Sequence, residues 1–170
     1  MTMRDLLRRI QTTPSCRVES PVGLPTIRSS LCLPDDVQEF YSLCGGVFLA
    51  EHTPYAMALV APSSFTLANP VVLGNIIVQA QKLQGEDDIS WSWYIMATCG
   101  NGEYLVIDLN KERLGRCYDG FHETYGLVGQ TPIIARSFTE LLTRLYENRG
   151  QYWYWLRPDF VSPGDAYDRV

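Results

Sequence analysis

Between Trp91 and Asn110 the chain reads WSWYIMATCGNGEYLVIDLN, two runs rich in aromatic and β-branched residues on either side of Gly100-Asn101-Gly102. Asn-Gly supplies the two positive-φ positions of a type I′ turn, so the stretch from about 91 to 109 is expected to fold as a β-hairpin. With Asn101 and Gly102 as the loop, Gly100 pairs with Glu103, Thr98 with Leu105, Met96 with Ile107 and Tyr94 with Leu109. One face of the hairpin is then almost wholly apolar. The other sets Cys99 against Tyr104, Ala97 against Val106 and Ile95 against Asp108, with Trp93 and Trp91 continuing that side. An aromatic face of this kind suits either a second packing layer or a surface that meets a partner.

The flanking segments supply helices. Leu6, Leu7 and Ile10 share one face of a short amphipathic helix over 3–11, with Arg4, Arg8 and Arg9 on the other. Three prolines (Pro14, Pro21 and Pro25) make 12–30 an irregular arm. Leu33-Pro34-Asp35-Asp36 opens a second helix, with Val37, Phe40, Tyr41 and Cys44 as its apolar stripe and Gly45-Gly46 as a left-handed cap. Short strands are expected near 47–50, 56–60 and 65–67, then at 116–118 and 132–135, while 69–85 fits helix and strand patterns equally. Ser137-Phe138-Thr139-Glu140 has capping-box spacing. Phe138, Leu141, Leu142, Leu145 and Tyr146 then recur at helical spacing up to Gly150. The tail from 151 to 156, QYWYWL, reads as a strand or an aromatic plug. The expected class is α+β: a mostly antiparallel sheet around the hairpin, flanked by helices near 34–44 and 138–149.

At 170 residues, 46% hydrophobic and 19% charged, the chain is long and apolar enough for one domain over 1–170 with a sizeable core. Residues 1–30 form its arm and 151–170 an aromatic extension. No run approaches the roughly 18 to 20 apolar residues of a spanning helix, so no membrane association is expected. The first residues alternate basic and apolar too quickly for a signal peptide, which places the chain in the cytoplasm.

The net charge of −5 is concentrated. Glu86, Asp87, Asp88, Glu103, Asp108, Glu112, Asp119 and Glu123 face only Lys111, Arg113 and Arg116 across 86–123, and the rest of the chain sums to zero. Such a segment disfavours nucleic acid and favours a basic protein.

No chemistry of catalysis or metal binding stands out. The five cysteines have no Cys-x-x-Cys spacing, so reduced, mostly buried thiols are expected and no zinc site is indicated. Cys99 beside the turn could act as a nucleophile only with His52 or His122 oriented as its base, which nothing in the sequence arranges. Gly100-x-Gly102 lacks the strand-to-helix context of a nucleotide loop. Neither Asp87-Asp88 nor the acidic stretch from Asp119 to Glu123 has EF-hand spacing, and no cofactor is indicated. The pairs Trp91/Trp93 and Trp153/Trp155 are spaced as one side of a strand, a pattern shared by core packing and by glycan or small-ligand platforms.

The order of parts LPDDVQEFYSLCGG, YIMATCGNGEYLVIDL, GRCY and ARSFTELL, spread over 33–145, resembles the SUKH superfamily, which joins bacterial immunity proteins to the fungal Smi/Knr cell-wall regulators. Cys44 stands where that family commonly has tyrosine or asparagine before Gly-Gly. The resemblance implies an α+β fold without enzymatic activity and, for bacterial members, neutralisation of a cognate toxin by direct binding. The family brings no catalytic residues to carry over. Combined with the charge pattern, it points to a basic toxin domain met by Asp87, Asp88, Trp91, Trp93, Glu103, Tyr104, Asp119 and Glu123. The alternative is a ligand-binding, glycan-binding or regulatory scaffold domain with no toxin partner.

Overall fold

A computed structural model describes residues 2–75, 77–78 and 87–169. Seven strands form one antiparallel sheet whose spatial order is the sequence order: β1 (Arg17–Val18), β2 (Val47–Leu49), β3 (Met57–Leu59), β4 (Trp93–Cys99), β5 (Tyr104–Asp108), β6 (Cys117–Asp119) and β7 (Ile133–Ala135). Helices α1 (Met3–Gln11), α2 (Asp35–Leu43), α3 (Ala68–Val72) and α4 (Phe138–Glu147) complete an α+β fold. Among the described residues no helix is long and apolar enough to cross a membrane.

Each helix follows from its apolar stripe and its ends. In α1, Met3, Leu6, Leu7 and Ile10 are buried, and Thr2 with Asp5 closes a full capping box. Val37, Phe40, Tyr41 and Cys44 are all fully buried along α2. That helix does not end in a left-handed cap: it stops at Leu43, Cys44 is extended, and only Gly46 has a positive φ, +141°. Gly45 serves close approach instead, since a Cβ there would collide with the Ser20 carbonyl of the arm that runs alongside. The arm is otherwise irregular apart from the two residues of β1. At the start of α4, Ser137 Oγ accepts from Glu140 N at 3.1 Å, while the Glu140 carboxylate reaches back to Arg136 N at 2.8 Å rather than to the cap residue. Asp36 then ties the two helix starts together, accepting from Thr139 N at 2.8 Å. The Phe40 and Phe138 rings meet edge to face, 4.8 Å apart.

The hairpin forms, but in a different register. Its loop has three residues: Cys99 N donates to Glu103 O at 2.7 Å and Gly102 N to Cys99 O at 3.0 Å. Gly102 alone takes a positive φ, +86°, so the turn is the type I plus left-handed glycine form rather than type I′. Tyr104 therefore pairs with Thr98 and Leu105 with Ala97, and a bulge at Met96 shifts the ladder again to pair Val106 with Ile95, Ile107 with Tyr94 and Asp108 with Trp93. Both faces of the hairpin base are covered. Trp91 belongs to a short 3-10 turn, Ile89–Ser92, that precedes β4, so it does not share a strand face with Trp93.

Helix α3 takes up 69–72 of the ambiguous stretch, whereas 76 and 79–85 of it, and Glu86 after it, lie outside the described residues. Leu67 makes only an isolated bridge to Tyr94.

Asp108, one of the eight acids of the 86–123 segment, is fully buried. Its carboxylate accepts from Ser92 Oγ, Trp93 Nε1, the Asn110 backbone N–H, Arg113 Nε and Tyr118 Oη at 2.7 to 3.2 Å. It ties the end of β5 to the start of β4, to β6 and to the following loop.

Candidate functional site

The turn end of the hairpin, the exit of β6 and the C-terminal tail converge on a cleft of about 200 Å³. Cys99, Asn101 and Glu103 come from the hairpin, Asp119 and Phe121 from β6 and its exit, and Trp153, Trp155 and Leu156 from the tail. The tail is not a strand. Residues Tyr154–Leu156 form one 3-10 turn that docks Tyr154 and Trp155 into the protein, with Tyr154 Oη donating to Ile134 O at 2.8 Å. The rings of Trp153 and Trp155 stack with centroids 6.2 Å apart, and Tyr55 closes on Trp153 edge to face at 5.4 Å.

Asp119 is the pivot. It accepts from Trp155 Nε1 at 2.9 Å and from Phe121 N at 3.2 Å, so one carboxylate holds both the tail and the β6 exit against the sheet. Burial raises its pKa above the ordinary carboxylate value, the Trp155 and Phe121 hydrogen bonds oppose that rise, and the Glu103 charge adds to it. Glu103 in turn pairs with His122, whose Nδ1 lies 2.7 Å from one carboxylate oxygen and whose backbone N–H donates to the other at 3.2 Å. Cys99 is buried beside these acids, and burial followed by their charges pushes its thiol well above the usual range, the opposite of what a nucleophile needs. Among the described residues no group of three or more His, Cys, Asp or Glu side chains is placed to hold a metal ion.

The structure separates the residues expected at one surface. Glu103 and Asp119 line the cleft, and the exposed Glu123 follows His122 on the loop beside it. Asp88 lies at the far end of that loop, where Tyr167 Oη contacts its carboxylate at 3.1 Å and donates to Gly126 O at 2.8 Å. Asp88 also accepts from Ser90 N at 2.8 Å as the cap of the 3-10 turn, and its neighbour Asp87 is exposed. Tyr104 is half-buried in a cross-strand row with Thr98, Ala58 and Phe48, all likewise half-buried. Trp91 and Trp93 are interior: Trp93 is fully buried, with its indole N–H on Asp108, and packs on Tyr118 and Tyr125. Neither indole offers a surface to a partner in this conformation.

Phe121 and Leu156 carry no motif that marks them in the sequence, and the Asn-Gly motif marks Asn101 as a turn residue and not as part of a cleft. Trp153 and Trp155 do carry a signal, their spacing by two, but it suggests a strand face and not a wall shared with the hairpin.

Residues 30–144 match the SMI1 / KNR4 family (SUKH-1). Over its whole length the chain is also 48% identical to "Immunity protein YokJ" of Bacillus subtilis (strain 168), the alignment spanning 170 residues, 100% of this chain and 98% of the relative. No solved structure matches. The family match covers the sheet from β2 to β7 with α2 and most of α4, and it ends before the tail that forms one wall of the cleft. The order of elements and the match across two thirds of its length agree: the chain belongs to the SMI1 / KNR4 family (SUKH-1).

Proposed function

We propose that the chain is an immunity protein that neutralises a cognate bacterial toxin in the cytoplasm by binding it directly, and that the hairpin-tip surface makes the contact. The observation that carries the reading is whole-length similarity to a protein named as an immunity protein, together with the acidic, aromatic-walled cleft. Binding is enough for this role, and tight protein interfaces are built as this surface is: indole and phenol groups around a desolvated centre, with charges at the rim. The tail wall lies outside the part shared with the family at large, which suits a surface that selects one partner.

The partner is a basic domain. Asp108 and Arg113 neutralise each other in the interior, leaving Asp87, Asp88, Glu103, Asp119 and Glu123 along the loop and cleft. A toxin whose own substrate is anionic, such as a nuclease, carries the complementary field.

The test is binding kinetics against the toxin domain encoded beside this gene. Asp87→Lys combined with Glu123→Lys changes two exposed side chains and should slow association several-fold at low ionic strength, the difference shrinking as salt is added. Association that is unchanged at low salt would remove the acidic surface from the account.

A further inference from the structure

We infer that the hairpin-tip cleft is the receptor for a single arginine side chain projecting from the toxin, its stem held between the tail indoles and Phe121 and its guanidinium set on Glu103 and Asp119. This rests on the binding role proposed above and specifies which contact anchors it.

Size comes first. Cofactor and drug-sized ligands occupy pockets of roughly 300 to 1,000 Å³. At about 200 Å³ the cleft holds something smaller, on the scale of one long side chain. Charge comes next: among the described residues two carboxylates line it, and no lysine or arginine does. Among the described residues Asp119 is matched only by two N–H donors, and Glu103 is joined by an exposed histidine. In a partly desolvated setting, a cation supplied by the partner relieves the repulsion between the two acids. The walls decide between cations. A lysine ammonium is a compact, strongly hydrated charge, whereas a guanidinium is planar, stacks on aromatic faces and meets carboxylates through two parallel hydrogen bonds.

Two arms test the inference on the full-length chain. In the first, N-acetyl-arginine methylamide is titrated while the indole N–H resonances of Trp153 and Trp155 are followed by NMR. They should shift with the arginine probe and remain still with the uncharged citrulline analogue. Equal shifts with both probes, or none with either, would overturn the cationic assignment.

In the second, dissociation of the toxin domain is timed. Glu103→Gln and Leu156→Arg, the latter placing a guanidinium at the rim in cis, should each speed release by about tenfold or more, as loss of an interface anchor does. Val161→Arg, on a fully solvated part of the tail, should leave release unchanged. If the toxin binds and both cleft variants release it at the wild-type rate, the cleft is not the anchor while the immunity reading stands. If the toxin does not bind at all, both fall.

Discussion

Replacing Asp108 by alanine should cost about 3 to 5 kcal/mol of stability, the loss expected when one partner of a buried ion pair is removed. The Asp108 side chain is inaccessible and that of Arg113 only 10% exposed, so deleting the carboxylate strands a guanidinium with little water to replace it. Trp93, the Asn110 backbone and Tyr118 lose their acceptor at the same time, while Ser92 Oγ keeps Ile89 O at 2.7 Å. Each such unsatisfied group adds its own desolvation penalty. Asp108→Asn keeps the shape but turns an amide N–H₂ toward donors, and it should fall between wild type and alanine. Urea unfolding measures both, and a loss below about 1 kcal/mol for the alanine variant, the size of one ordinary hydrogen bond, would mean that this network does not hold the sheet.

The second large effect lies in the helical layer. Leu142 is fully buried on α4, in the same stripe as Phe138, Leu141 and Leu145, and belongs to the continuous core that includes both strands of the hairpin. Leu142→Ala leaves a cavity that the close-packed surroundings fill only in part, with an expected loss of roughly 2 to 5 kcal/mol. A change within about 0.5 kcal/mol, as at surface positions, would contradict this packing.

What could be read in the sequence, and what could not, divides along the range of the physics involved. Local signals are enough for α1 and α4, because the stripes Leu6-Leu7-Ile10 and Leu141-Leu142-Leu145 and the Ser137 cap each sit within a few residues, but not for α3, whose residues fit helix and strand alike. The hairpin was equally legible in its existence. Its register was not, because Gly100-Asn101-Gly102 serves a two-residue or a three-residue loop, and the choice moves every cross-strand pair by one. The bulge at Met96 has no local mark.

Charge pattern alone could not sort the acids. Asp88 caps a 3-10 turn, Asp108 is a core ion, Asp119 ties down the tail, and Asp87 and Glu123 are exposed, yet all read alike as members of one acidic segment. Alternation suggested a strand face for Trp91 and Trp93, where the chain instead makes a 3-10 turn and then buries both indoles. The cleft has no mark in the sequence for a related reason: Glu103 and Trp153 are fifty positions apart, and only the folded sheet brings the turn and the tail together. The aromatic plug suggested by QYWYWL was legible as composition, and its docking site was not.

The central claim is that this chain neutralises a toxin by forming a complex with it. Calorimetric titration of the full-length chain into the purified toxin domain encoded beside its gene, with the toxin's activity assayed across the same titration, tests that claim most directly. The account predicts a saturable complex and loss of toxin activity in step with its formation. Full toxin activity with no heat of binding at micromolar concentrations would contradict it.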